Sequence, residues 1–258
     1  MLRKRNLETG FEHLSHGSHV CCIYSGKEEQ LSMLSTFMKI GLERNEKCLY
    51  IFDDRTKEEV IERFREIGID IDELVDSGQF EFLTKRESYL KDGYFEPEKM
   101  FKLLSKAKEK ALEQGFSGLR GTGEMTWFFT KAPGVERLME YESRLNEFLQ
   151  GQEMVILCQY NEERFSPEKL LDVIHTHPRI VINDFLYENH YYMPAEVFAA
   201  RMKGEVDKEY YDNIKNNLVE QALLTGVERK TENETEPLQD VLQTLEKIEE
   251  NARFKSST

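Results

Sequence analysis

Apolar positions along the first two thirds of the chain alternate between two patterns. Short, largely apolar runs recur at Val20 to Tyr24, Cys48 to Phe52, Gln79 to Leu83, Met154 to Gln159 and Ile180 to Ile182, with a further one inside Ser117 to Met125. Their length and density predict buried strands. Between them the apolar residues space out to helical intervals. Leu31, Leu34, Phe37, Met38 and Gly41 mark a face from about Glu28 to Arg44, and Met100, Leu103, Leu104, Ala107 and Ala111 mark a long helix opened by Pro97. Thr56 and Glu59 have the spacing of a capping box for a helix to Ile67, and helices are also expected from about Gly134 to Leu149 and from Ser166-Pro167-Glu168 through Ile174. Strands apolar on both faces, alternating with helices, predict an α/β fold with a mostly parallel central sheet and helices on both sides. In such sheets ligands bind beyond the carboxyl ends of the strands.

The pattern changes near residue 205. Residues 1–204 carry enough apolar sequence for one core, whereas 205–258 hold 13 acids against 7 bases and only stripes of apolar residues. Tyr211, Ile214 and Leu218 lie on one helical face. After a polar break from Thr225 to Pro237, Leu238, Val241, Leu245, Ile248 and Ala252 follow in steps of three and four. The expectation is one α/β domain over 1–204 and an acidic amphipathic helical tail over 205–258, acting as a connector or a homodimerisation helix.

Composition narrows the partners. Lys and Arg total 35 against 49 Asp and Glu, a net charge of −14 that disfavours direct nucleic-acid binding without a local basic face, and none is evident. No apolar run approaches the roughly 18 to 20 residues of a membrane span, and Met1 to Arg5 leads into polar sequence. Four cysteines, at 21, 22, 48 and 158, make neither a disulfide framework nor a paired CxxC zinc site. A reducing cytoplasm is the expected location.

The strand ending at Tyr24 leads into Ser25-Gly26-Lys27, but Glu28 stands where a phosphate loop needs a hydroxyl, and the upstream glycine is missing. Lys27 is then a solvated loop lysine. In Leu119 to Trp127, Arg120 and Glu124 bracket small residues ahead of the only Trp. A buried Arg120 needs Glu124, another acid or an anionic ligand group as its partner; an internal ion pair with Trp127 as core is the competing reading. His19, Cys21, Cys22, Cys158, His175 and His177 are ligand-type residues, although along a strand His19 and Cys21 share a face that Cys22 does not. Buried small cysteines and a satisfied histidine before Pro178 account for them better. Asp53-Asp54 follows a strand, which is also ordinary turn chemistry.

These segments resemble the MEDS family, a sensory domain named for methanogens and methylotrophs. The resemblance rests on His19 to Tyr24, Gly41 to Tyr50, Leu119 to Trp127, Tyr141-Glu142 with Asn146, Leu157 to Tyr160, Thr176-His177-Pro178 and Asn189 to Tyr192, and covers about residues 10 to 198. It implies a RecA/KaiC-like fold with a degraded phosphate loop, and the sensing of a C1 compound or small hydrocarbon derivative in a regulator that also has a kinase or DNA-binding module. On a RecA-like strand order, Tyr24, Cys158, Tyr160, Arg120, Glu124 and Trp127 would meet at one end of the sheet.

The expected function is thus a non-enzymatic, cytoplasmic signal-transduction sensor. It binds a small-molecule ligand through Tyr24, Arg120, Glu124, Trp127, Cys158, Tyr160, His19 and His177, and relays a shape change through the C-terminal helix to a kinase or transcription-regulator partner. No catalytic residue, metal ligand or cofactor is assigned, and no membrane contact is expected. The alternatives are a degenerate phosphate-loop nucleotide-binding protein, and a metal, haem or thiol redox sensor using His19, Cys21 or Cys22, Cys158 and His177.

Overall fold

The structure, a computed structural model, describes residues 4–204 and residue 215. The proposed tail helices lie outside the described residues. In chain order the elements are β1 (Lys4–Asn6), α1 (Leu7–Glu12), β2 (Ser18–Tyr24), α2 (Gly26–Glu43), β3 (Lys47–Phe52), α3 (Lys57–Glu66), α4 (Ile71–Asp76), β4 (Phe80–Thr84), α5 (Pro97–Glu113), β5 (Leu119–Glu124), α6 (Leu138–Phe148), β6 (Met154–Asn161), α7 (Pro167–Thr176), β7 (Arg179–Ile182), β8 (Phe185–Glu188) and α8 (Ala195–Met202). The eight-stranded sheet has the order β1-β8-β7-β2-β6-β5-β3-β4. Every pairing from β7 through β4 is parallel, and only β8 and β1 add antiparallel strands at one edge. The mostly parallel α/β expectation therefore holds, and β2 neighbours β6 with β5 next.

Local chemistry explains the boundaries. Thr56 accepts from the Glu59 amide while the Glu59 carboxylate accepts from the Thr56 amide, closing the capping box of α3. Pro97 and Pro167 occupy the first positions of α5 and α7, where a missing N–H costs nothing. The β7–β8 hairpin, of which the apolar pattern predicts only β7, turns on Asn183 (φ 50°) and Asp184 (φ 61°). Two left-handed residues are what a two-residue type I′ turn requires, and Asn and Asp tolerate that region best among non-glycines.

Alternation along each central strand feeds two apolar layers. One holds Cys21, Cys158, Tyr160 and Trp127 beneath side chains of α5, α6, α7 and α8; the other holds Cys22, Tyr24, Tyr50 and Leu157 beneath α1, α2, α3 and α4. This division decides which of the candidate residues can meet.

Candidate functional site: a buried histidine, carboxylate and thiol centre

The α6-side layer contains a polar centre assembled from four elements. On β2, His19 and Cys21 face this layer, and on β6, Cys158 and Tyr160 do the same; Cys21 and Cys158 are register partners. Helix α6 contributes Glu142 and Asn146, four residues apart on one face. His177 arrives as the residue that ends α7, with extended backbone (φ −120°, ψ 125°). Pro178 enforces that conformation, because its ring disfavours a helical predecessor. His19, Glu142, Cys158, Tyr160 and His177 are all essentially without solvent exposure.

Glu142 is the hub. Its Oε2 lies 3.2 Å from His19 Nε2 and 3.3 Å from His177 Nε2, and 3.4 Å from the Cys158 sulfur. Its Oε1 accepts the Tyr160 hydroxyl at 2.5 Å. Cys158 Sγ is 3.6 Å from His19 Nε2, and the two imidazole centroids are 4.1 Å apart. Burial pushes the Glu142 carboxyl up, but the adjacent imidazoles of His177 and His19 outweigh it and hold the group below the usual carboxylate range. Burial and the neighbouring His177 lower His19, against the pull of Glu142 and Asn146. Burial, then the charge of Glu142, pushes the Cys158 thiol and the Tyr160 phenol well up. One His Nε2 each, the carboxylate and the thiol all place a ligand atom within 4.8 Å of one another.

The other expected site residues lie elsewhere. Tyr24, Arg120 and Glu124 face the α2-side layer, so one pocket lined by all eight residues is not formed; the sheet separates them from Cys158, Tyr160, His19 and His177. Arg120 and Glu124 share a face but stand four residues apart on β5, roughly 13 Å along a strand. Arg120 instead pairs with Glu46 at 2.5 Å and stacks on Phe37, with its guanidinium carbon 4.7 Å from the ring centre. Gly41 makes room for it: a Cβ there would sit 2.5 Å from Arg120 Cδ. The partner is thus another acid, one of the three choices open to a buried arginine.

Glu124 is also internally engaged. It accepts from the Tyr50 hydroxyl and from the consecutive amides of Asp53, Asp54 and Arg55, so a side chain already fills the concave nest where an anion would bind. Burial raises its pKa against those hydrogen bonds. The nearby carboxylates are paired, Asp53 with Lys85 and Asp54 with Arg164. Trp127 packs as core, stacked on Tyr89 with centroids 4.7 Å apart and against Phe95 at 4.5 Å. At the start of α2, Lys27 pairs with Glu59 at 2.7 Å, and Glu29 accepts the Ser25 amide.

Sequence reasoning gave no role to Glu142 or Asn146. Both stand in the stretch Tyr141 to Asn146, and their spacing of four on a helix was the available signal. Which layer that helix covers could not be read from it.

Fold and centre together define a mostly parallel α/β domain with a buried ionisable cluster between the sheet and α6. The chain belongs to the MEDS family: the model of the methanogen/methylotroph, DcmR sensory domain matches residues 18–178. The transcriptional repressor DcmR of Methylorubrum extorquens is 26% identical over 168 residues, covering 64% of this chain and 59% of the repressor, so the match spans less than two thirds of that protein. Among solved structures, a KaiC-like protein of Pyrococcus horikoshii is similar at 10% identity with a TM-score of 0.47, over 64% of this chain and 70% of that one. Among the described residues, no helix is long and apolar enough to cross a membrane.

Proposed function

We propose that the chain is the cytoplasmic input domain of a transcriptional regulator. In this reading it binds a small, partly polar organic molecule, a C1 compound or short hydrocarbon derivative, against the centre of His19, Glu142, Cys158, Tyr160 and His177. Family membership supports a sensory role, and the repressor relative supports a regulatory one. The observation that carries the reading is the centre itself. Five polar side chains from four elements converge in a layer where apolar residues would pack at lower desolvation cost, and such departures from local packing rules mark functional sites.

Helix α6 offers a relay. It carries Glu142 and Asn146 and packs against α8, whose Val197 and Phe198 join the same apolar layer just before residue 204. A ligand that binds one placement of α6 more tightly than another shifts the α8 end by that difference in affinity. Nucleic-acid contact is assigned to an output module and not to this acidic chain, and no catalytic residue is assigned. The pairing of Lys27 with Glu59 and the acids Glu28 and Glu29 support reading the loop after β2 as a degraded phosphate loop.

The test is a titration of the chain with one-carbon alcohols, amines and thiols and short hydrocarbon derivatives, followed by melting midpoint and hydrogen exchange. A ligand is expected to raise the midpoint and protect α6 and α8, and Tyr160→Phe is expected to weaken the response. A response to magnesium-ATP alone, or an organic ligand whose affinity is the same in Tyr160→Phe and Glu142→Gln, overturns the reading.

A further inference from the structure

The hydrogen positions at the centre follow from its outer partners. His177 Nδ1 is 2.7 Å from the Val173 carbonyl, which only accepts, so that nitrogen carries the hydrogen. The Asn146 amide is fixed in orientation because its Nδ2 reaches the carbonyls of Thr176 at 2.8 Å, Ser143 at 3.2 Å and Glu142 at 3.3 Å. Its Oδ1 therefore faces His19 Nδ1, at 3.0 Å, and that nitrogen also carries a hydrogen. Both rings then turn Nε2 toward Glu142.

Without a further occupant, each protonation of these two nitrogens carries a cost. Two imidazolium rings 4.1 Å apart, sharing one carboxylate, leave a net positive charge in an apolar layer. Two neutral rings set bare lone pairs 3.2 and 3.3 Å from a carboxylate oxygen. One of each still leaves one nitrogen opposed to that oxygen, with the weak S–H donor of Cys158 3.6 Å from His19 Nε2, and the fully buried His177 Nε2 has Glu142 at 3.3 Å without well-aligned hydrogen-bond geometry. A divalent cation resolves this. It accepts both lone pairs and the carboxylate and displaces the Cys158 proton to solvent, so two neutral imidazoles, one carboxylate and one thiolate sum with it to zero charge.

Distances agree. Metal bonds of about 2.0 to 2.3 Å arranged as a tetrahedron put ligand atoms about 3.3 to 3.7 Å apart. The observed separations are 3.2 Å for His19 to Glu142, 3.3 Å for His177 to Glu142, 3.4 Å for Cys158 to Glu142 and 3.6 Å for Cys158 to His19. We propose that His19 Nε2, His177 Nε2, Glu142 Oε2 and the Cys158 thiolate bind one divalent first-row transition cation, zinc foremost, in a closed tetrahedral site. Two nitrogens and a sulfur do not suit magnesium or calcium, which take oxygen ligands. Asn146 and the Val173 carbonyl orient the two rings, and Tyr160 occupies Oε1 so that Oε2 is left for the ion. The inference rests on the centre as the functional site and not on the identity of the organic ligand.

Elemental analysis of the purified, untagged chain tests it, followed by chelation and titration of the apo chain with Zn2+ and Co2+. The expected result is about one metal per chain, a melting midpoint that falls on chelation and recovers with Zn2+, and a tetrahedral Co2+ spectrum with a thiolate charge-transfer band. Cys158→Ser is expected to lose that band. The proposal is overturned if the wild-type chain holds no metal and its midpoint ignores Zn2+. It is equally overturned if wild-type Co2+ protein lacks the thiolate band, which can be read even where Cys158→Ser fails to fold, or if His19→Ala with His177→Ala retains the full metal content. A metal-free centre that still binds an organic ligand through Tyr160 refutes the metal alone. A loaded centre whose only response is to magnesium-ATP refutes the sensor reading alone.

Discussion

Asn146 Oδ1 receives the Nδ1 hydrogen of His19 at 3.0 Å, and this contact decides which nitrogen of the ring faces Glu142. The two residues are 127 positions apart, on β2 and α6. A contact outside the proposed ligand set thus controls its chemistry, which makes it a sharp place to test the centre. Asn146→Leu should keep the ring buried but free it to rotate, lowering Zn2+ affinity by about 10- to 100-fold, as loss of orienting partners does at other sites. Competition with a chromogenic chelator measures this, and an unchanged affinity would refute the orientation argument.

Arg120 should matter for stability and not for ligand response. Arg120→Met leaves the buried Glu46 with only the partly exposed His16, 3.3 Å away, to offset its charge, and is expected to cost up to about 3–5 kcal/mol in denaturant unfolding. Adding Glu46→Gln should recover a large part of that loss, because the uncompensated charge is gone. A loss of ligand or metal binding at full folding would place Arg120 back in the site.

Gly123 sits under an aromatic stack. A Cβ there would lie 2.2 Å from Tyr89 Oη, and Tyr89 stacks on Trp127. Gly123→Ala should therefore cost about 1–3 kcal/mol by overpacking and shift the emission of the only tryptophan. Tyr89→Phe in the same chain removes the clashing oxygen and should restore much of both; a double variant no better than the single would show the strain lies elsewhere.

The loop after β2 should be silent toward phosphate. Lys27→Ala breaks a half-exposed ion pair with Glu59, so less than about 1 kcal/mol of stability is expected to go. Calorimetry with magnesium-ATP should show no heat for either the wild type or the variant. A wild-type signal lost in Lys27→Ala would restore nucleotide binding as the function.

Tyr160 donates to Glu142 Oε1, a hydrogen bond to a charged acceptor inside the layer. Tyr160→Phe keeps the ring and removes that bond, at an expected cost of about 1.5–3 kcal/mol measured by chemical denaturation. A neutral effect would mean that the carboxylate is satisfied by the ion and both imidazoles without it.

Much of this protein was legible as a string. Alternating apolar runs and helical stripes encode which positions are buried, and burial is set by local period, so the parallel α/β class and the β2, β3, β4, β5, β6, α2, α3, α5 and α7 segments emerged near their observed places. Caps such as Thr56 with Glu59 and prolines such as Pro97 act over one helical turn and are equally readable. Parity along β2 correctly put His19 with Cys21 and apart from Cys22. Parity within one strand, however, does not say which layer another strand's residues share, so Tyr24, Arg120 and Glu124 were grouped with Cys158 and Tyr160 although the sheet stands between them. Nor could it bring Glu142 to His19, Cys158 and His177, because that depends on how α6 docks and where Pro178 turns the chain. Such contacts span more than a hundred residues and are chosen by packing and charge compensation in the folded layer, for which no local periodicity exists.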